Sequence, residues 1–355
     1  MRVQDIQSVV DLLKLAKIGL EEKKEREENE LEALDAVEFN LPENLNGVKP
    51  LISVDGSYAF LFSFLGAETW IVMFRIATTE YKIEIKNGEI HYCMNASPKV
   101  YDHLNVISFN EIILASQPKV YSKTADIASN FEGRRSNIFA SNIMSYLEDL
   151  TLDKISKTRK NCILLKDGAL LTFKALERES IYRNILSNCR ENNIMFAGVS
   201  KSTSTHLLND FYTDDYFLKK YYDKKYANLT YVPIPEELIK KQTKFDIWGD
   251  VHFAKLHKEA LKWFRVDIAK EMDYKDDLFS SIAAYSMIKL IPGYPIGLIE
   301  THKVAKSVRD FKESYLLELL ESFKKLGLDF KDVLDGAVDI DGRQYKSFHE
   351  ILDQI

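Results

Sequence analysis

The 355-residue chain is 46% hydrophobic and 29% charged, with a net charge of −6, three cysteines and no stretch near the roughly 18 uninterrupted apolar residues of a membrane span. Its start, MRVQDIQSVVDLL, carries acids and amides in its apolar pattern and no small-residue cleavage site, which excludes a standard secretory signal. Cys93, Cys162 and Cys189 form no CxxC pair, so a disulfide framework and a zinc knuckle are set aside and a reducing cytoplasm is the expected location.

From Ile6 to about Ala36, apolar residues recur at helical spacing around the charged run 21–28, predicting a helical arm. Leu41-Pro42-Glu43-Asn44-Leu45-Asn46-Gly47 reads as a linker. Leu51-Ile52-Ser53-Val54 is a short apolar strand predicted to end at Asp55-Gly56-Ser57. Strands follow at 70–77 and 80–85, the second alternating with period two, and Asn87-Gly88 marks a tight turn into 90–93. A helix is predicted from Thr124 to Leu150, then a buried strand 163–165 before Asp167-Gly168, a helix 180–192 and a buried strand 194–200. Beyond these lie a Lys- and Tyr-rich helical stretch (210–226), strands near 230–234, 250–255 and 262–268, a helix from about 298 to 325, and a hairpin turning at Asp341-Gly342.

Three meandering strands followed by helix, strand, helix, strand is the order of a ribonuclease-H-like core, a mixed sheet flanked by helices. The fold expected is therefore α/β, with an N-terminal helical arm and linker (1–47), a central domain (48–310) and a C-terminal helix and tail (311–355).

Charge is unevenly spread: residues 1–118 balance at −8, 119–265 at +7 and 266–355 at −5. The basic middle is either the footprint of a polyanion site or local variation in a charged surface. Asp55 and Asp167 each close a buried strand before a glycine, and the carboxyl ends of such strands face the crevice where α/β sheets bind ligands. Two carboxylates brought together repel unless a cation lies between them, and magnesium or manganese suits an oxygen-rich site.

A third ligand is expected from the helix between the two strands. Glu132 lies near its start, while Glu148 and Asp149, near its end, read as surface acids. Arg134 and Arg135 are either phosphate contacts or a solvated pair. Lys201, in Gly198-Val199-Ser200-Lys201-Ser202, offers a cation at a strand end, and the stretch lacks the GxxxxGK[ST] pattern of a Walker loop. His302 follows a Pro/Gly helix start in Tyr294-Pro295-Ile296-Gly297. The apolar loop 290–296 either packs into the core or presents a patch. Tyr212, Tyr216, Tyr221, Tyr222 and Tyr226 are open to core packing or to base stacking.

The stretches SVDGSYA (53–59), LLKDGALL (164–171), GVSKS (198–202), DVHFAKLH with FRVD (250–257, 264–267) and GYPIGLIETHKVA (293–305) together resemble the NurA nucleases of archaea and bacteria, in the family's order. The resemblance implies a homodimeric, manganese-dependent DNA nuclease of ribonuclease-H-like fold, with magnesium as an alternative ion. Implied activities are single-strand endonuclease and 5′–3′ exonuclease on single- and double-stranded DNA. The implied setting is end resection in double-strand-break repair, with a HerA-type hexameric ATPase and beside a Mre-type nuclease with a Rad-type ATPase. Asp55 and Asp167 match the family's metal-binding aspartates, His302 its late histidine and Lys201 a basic active-site position. Glu132 or Glu111 is the expected intermediate glutamate. Arg134, Arg135, Lys201 and Arg265 are the expected DNA contacts. Asp267 stands where relatives often carry Glu. The competing reading is a non-catalytic ribonuclease-H-like DNA-binding or adaptor subunit of the ATPase complex.

Overall fold

The computed structural model describes residues 34–64, 69–108, 136–172, 178–201, 205–208, 212–242, 246–270, 272–327 and 337–338. The predicted arm before residue 34 and the hairpin at Asp341-Gly342 lie outside them.

The strands are β1 (Val37–Glu38), β2 (Leu51–Phe64), β3 (Thr69–Lys86), β4 (Glu89–Met94), β5 (Lys99–Ser108), β6 (Ile163–Asp167), β7 (Leu171–Thr172), β8 (Met195–Ser200), β9 (Thr230–Pro233), β10 (Asp246–Ile247), β11 (Gly249–Lys255), β12 (Phe264–Ala269) and β13 (Ala337–Val338). The helices are α1 (Ser136–Thr158), α2 (Arg178–Glu191), α3 (Asp214–Tyr222), α4 (Glu236–Gln242), α5 (Lys275–Ala284), α6 (Ile296–Lys306) and α7 (Lys312–Lys325). An 11-stranded sheet runs in the order β1-β9-β11-β12-β8-β6-β2-β3-β4, with β5 also paired to β3 and β13 to β2. Strands β2, β6 and β8 are mutually parallel, and β3 is antiparallel to β2 and to β5. The order β5-β3-β2-β6-β8, with β3 alone reversed, is the ribonuclease-H-like arrangement, here extended by an antiparallel sheet through β12, β11 and β9.

Period-two alternation divides the central strands between two cores. Ile163 and Leu165 enter the core built with α5 and α6, which also holds Leu278, Phe279, Leu298 and Ile299. Leu164 enters the other, which holds Leu152 of α1 and Tyr182, Ile185 and Leu186 of α2. Each such aliphatic side chain, fully buried, contributes about 1.5–3 kcal/mol. Because both faces are covered, these strands read as continuous apolar runs rather than as alternation.

Several boundaries differ from expectation. The strand from Leu51 does not end at Asp55-Gly56; it runs to Phe64, and Asp55 pairs with Ala77 in the middle of the ladder. The segments at 70–77 and 80–85 are one strand, β3, which pairs β5 along its first half and β4 along its second. Thr78 and Thr79 interrupt the apolar pattern but continue the ladder opposite Val54 and Ser53. The Asn87-Gly88 turn has positive φ at both residues, as a two-residue hairpin requires. The predicted helix at 298–325 is two helices, broken by a 3-10 turn at Ser307–Arg309. Arg75 of β3 fixes that break. It bonds both carboxylate oxygens of Asp102 at 2.8 Å, Ser307 Oγ at 2.7 Å and the Tyr315 hydroxyl.

Candidate active site

Helix α6 crosses β2 and β3 closely because Gly297 has no side chain: a Cβ there would lie 2.4 Å from Ser53 Oγ and 2.9 Å from Leu51 Cδ2. The Gly297 carbonyl accepts hydrogen bonds from Thr79 Oγ1 at 3.1 Å and Thr301 Oγ1 at 2.6 Å, tying helix to sheet. His302, on the same helix, thereby meets Asp55. Its Nδ1 lies 2.8 Å from Asp55 Oδ2, within hydrogen-bonding distance of the carboxylate.

Asp167 ends β6, where Gly168 turns the chain with φ +109° and donates its N–H to Val199 at 2.9 Å. Lys201, just past β8, bonds Asp167 Oδ2, and its Nζ lies 3.8 Å from Asp55 Oδ2. Tyr294, in the loop before α6, donates its hydroxyl to Asp167 Oδ1 at 3.1 Å. One ligand atom each from Asp55, Asp167 and His302 lies within 4.8 Å of the others.

The electrostatics call for a cation. Burial, and then the charge of Asp55, push the Asp167 carboxyl up to about 7, against the opposing pull of Lys201. The Lys201 ammonium lies beside both carboxylates. Two carboxylates and an imidazole are a donor set that manganese or magnesium accepts, so the residues present fit a divalent ion.

Glu148 corrects the sequence reading. It and Asp149 are buried, at 2% and 0% exposure, not on the surface. The cause is that α1 continues to Thr158, so these acids are mid-helix and face β2 and β6. Their charges are met by Lys166 and Arg178, both buried beside them. Consecutive strand residues point to opposite faces, so where Asp55 faces α6, Gly56 faces α1. A Cβ at Gly56 would lie 2.8 Å from Glu148 Oε1 and 2.7 Å from Met144 Cγ. Burial raises the Glu148 carboxyl to about 8; Lys166 opposes the shift, and Asp55, Asp149 and Asp167 add to it.

The sequence-predicted residues Asp55, Asp167, Lys201 and His302 thus come together. Glu132, Glu111, Arg134 and Arg135 lie outside the described residues. Arg265 does not join the cluster. It is buried in β12 and bonds both oxygens of Asp267, at 2.7 and 2.9 Å. Asp267 also accepts the Leu170 N–H at 2.9 Å, and so secures the loop that follows Asp167. Sequence reasoning gave no role to Tyr294 or Glu148; the Gly-Tyr-Pro before α6 was the available sign of the first. On α3, Lys220 lies 4.7 Å from the Tyr212 ring centroid, and Tyr216 is 51% exposed. Tyr212, Tyr221 and Tyr222 pack partly into the core beneath.

The sheet order and strand directions place the protein in the ribonuclease-H-like fold class. Among solved structures the chain is similar to the NurA nuclease from Sulfolobus solfataricus, at 13% identity and a TM-score of 0.49, over 93% of this chain and 99% of that chain. It is also similar to the A. aeolicus Argonaute, at 11% identity and a TM-score of 0.26, over 74% of this chain and 28% of that one. For Kluyveromyces polysporus Argonaute with a guide RNA the figures are 8% and 0.28, over 86% and 33%. No protein-family profile matches the sequence, and no curated protein does. Among the described residues no helix is long and apolar enough to cross a membrane.

Proposed function

We propose that the protein is a metal-dependent DNA nuclease that hydrolyses phosphodiester bonds at this cluster. The observation that carries the reading is the meeting of Asp55, Asp167 and His302 within 4.8 Å, from chain segments far apart in sequence. Four of the five stretches that resemble NurA contribute to it: Asp55, Asp167, Lys201, and Tyr294 with His302.

Asp55 and Asp167 hold the divalent ion, manganese or magnesium, with His302 as a further ligand or proton carrier and Glu148 approaching from α1. When bound, such an ion polarises the phosphate and lowers the pKa of water, so that a nucleophile is present at neutral pH. Tyr294 keeps one oxygen of Asp167 aligned through its hydroxyl. His302, held at Nδ1 by Asp55, can take or give a proton at Nε2. Lys201, beside both aspartates, would stabilise the negative charge that grows on the phosphate oxygens in the transition state. Arg265 belongs to this proposal on the motif resemblance, and Glu132, Arg134 and Arg135, which fall in none of the matching stretches, on the sequence reading alone. Manganese as the working ion, a homodimer, delivery of DNA by a HerA-type hexameric ATPase, and work beside a Mre-type nuclease with a Rad-type ATPase at broken ends belong to it on the resemblance.

The test is degradation of end-labelled single- and double-stranded DNA with and without Mn²⁺, comparing wild type with Asp55→Asn. Wild type should cleave only with metal, and Asp55→Asn should lose about 10²–10³-fold in rate with its fold intact. Equal cleavage by the two proteins, or none by wild type with either ion, would sink the assignment. Gel filtration tests the dimer, and co-purification with a HerA-type ATPase tests the partner.

A further inference from the structure

Lys166 precedes Asp167 on β6 and therefore points to the opposite face, into the interface with α1 and α2. It is 2% exposed. Its ammonium lies 2.6 Å from Asp149 Oδ1, 3.3 Å from Ser145 Oγ, 3.4 Å from the Tyr182 hydroxyl and 3.5 Å from Glu148 Oε2. Asp149 is also bonded by Arg178 Nε at 2.6 Å and by the Tyr182 hydroxyl at 3.2 Å. Arg178 alone would balance Asp149, so the second buried cation is in excess of what Asp149 needs. Its remaining acidic neighbour is Glu148.

The Glu148 carboxylate is bracketed. Oε2 faces Lys166, and Oε1 abuts Gly56, where any side chain would displace it. The pairing of β2 with β6 ends at Val54–Lys166, just before Asp55 and Asp167. Past that pair the two strands are no longer paired with each other, and Glu148 Oε1 lies against Gly56, the residue next to Asp55.

The geometry points to Lys166 as a positioning residue: anchored by Asp149, it holds Glu148 against Gly56 so that this carboxylate completes the metal-binding set of Asp55 and Asp167 from the helix face. The inference rests on the metal-dependent reading above. A buried carboxylate fixed from both sides reaches the ion without first being ordered, and outer partners of metal ligands commonly govern affinity in this way.

The experiment is Mn²⁺ binding by calorimetry on the full chain, with melting curves to show that each variant folds. Lys166→Met and Glu148→Gln should each weaken binding about 10–100-fold. The double variant should bind within about twofold of Glu148→Gln alone, because Lys166 acts through Glu148. Lys166→Arg should restore part of the loss. Should Lys166→Met not fold, Lys166→Gln keeps a donor for Asp149 and carries the same expectation. Wild-type affinity in a folded Lys166 variant overturns the inference, as does a double variant whose loss is the product of the two single losses. Asp55→Asn separates the two levels. If wild type binds no Mn²⁺, or Asp55→Asn binds it equally well, the metal site itself fails. If Asp55→Asn abolishes binding while Lys166→Met leaves it unchanged, only the role of Lys166 fails.

Discussion

Asp55 and Glu148 approach β2 from its two opposite faces at adjacent residues, Asp55 through its own side chain and Glu148 through the space Gly56 leaves. With Glu148 included, the proposed site straddles a strand rather than lying on one side of it. Helix α1 brings Glu148 to one face and α6 brings His302 to the other, and each packs in close contact at a glycine.

This crowding of acids gives the metal-free protein a pH signature. The carboxyls of Asp167 and Glu148 are raised to about 7 and about 8 in the folded state, above their unfolded values. The folded state then binds more protons than the unfolded state between about pH 4 and pH 8, so their contribution to stability falls as pH rises through that range. Thermal melting in chelator should show a lower Tm at pH 8.5 than at pH 6. Asp55→Asn, which removes a neighbouring charge, should flatten the slope, and Mn²⁺ should raise the Tm most at the alkaline end. A slope unchanged in Asp55→Asn would mean that the two aspartates do not sense each other.

His252 contributes the opposite trend at acid pH. It is buried in β11, edge-on to the rings of Tyr231 and Phe279, and burial lowers its pKa to about 4. Here the unfolded chain binds the proton more readily, so stability is lost as pH falls from about 6.5 to 4, by about 3 kcal/mol at the acid end. His252→Phe should remove this acid limb in urea titrations at pH 4.5 and 7. An identical pH dependence in the variant would show that the loss arises elsewhere.

Gly56→Ala should be costly although alanine favours a strand no less than glycine does. The added methyl would lie 2.7–2.9 Å from Met144, Glu148 and Ile76, closer than any real contact. Overpacking of this kind costs about 1–3 kcal/mol, measurable by chemical denaturation. Cleavage should fall further than the stability loss explains, because Glu148 is the atom group displaced.

Lys201→Ala should slow cleavage by about 10²–10³-fold. Lys219→Ala, whose ammonium bonds the Leu261 carbonyl on the surface of α3, should leave it within about twofold. If α3 carries phosphate contacts, DNA affinity will fall steeply with salt, by about 0.9 log unit per log unit of salt for each contact on duplex. A shallow slope would make the basic middle of the chain incidental.

The sequence was most legible where chemistry and chain geometry agree. β6 and β8 announce themselves as unbroken apolar runs because both faces are covered, and the Asp or Lys that follows marks the end of the run. Asp55 was found for a partly wrong reason. Its glycine suggested a turn, whereas Gly56 is extended strand and serves α1 instead. Glu148 is not legible in the sequence, because an acidic pair on a helix usually faces water and nothing local tells that Lys166 and Arg178, 18 and 30 residues onward, fold against it. The loop 290–296 split between both readings: Leu290 is 82% exposed, while Ile296 packs on the central core.

The Asp55–His302 contact joins residues 247 apart in the chain. A protein that cuts DNA while still being synthesised would be a hazard to the cell that makes it. Here the histidine and the helix that seals β2 emerge from the ribosome long after both aspartates, so the nascent chain passes through most of its synthesis without a complete site. Long-range closure of this kind also slows folding, since distant segments must meet before either is rewarded. If the proposed reading holds, the topology leaves the cluster incomplete until α6 docks and brings His302 to Asp55.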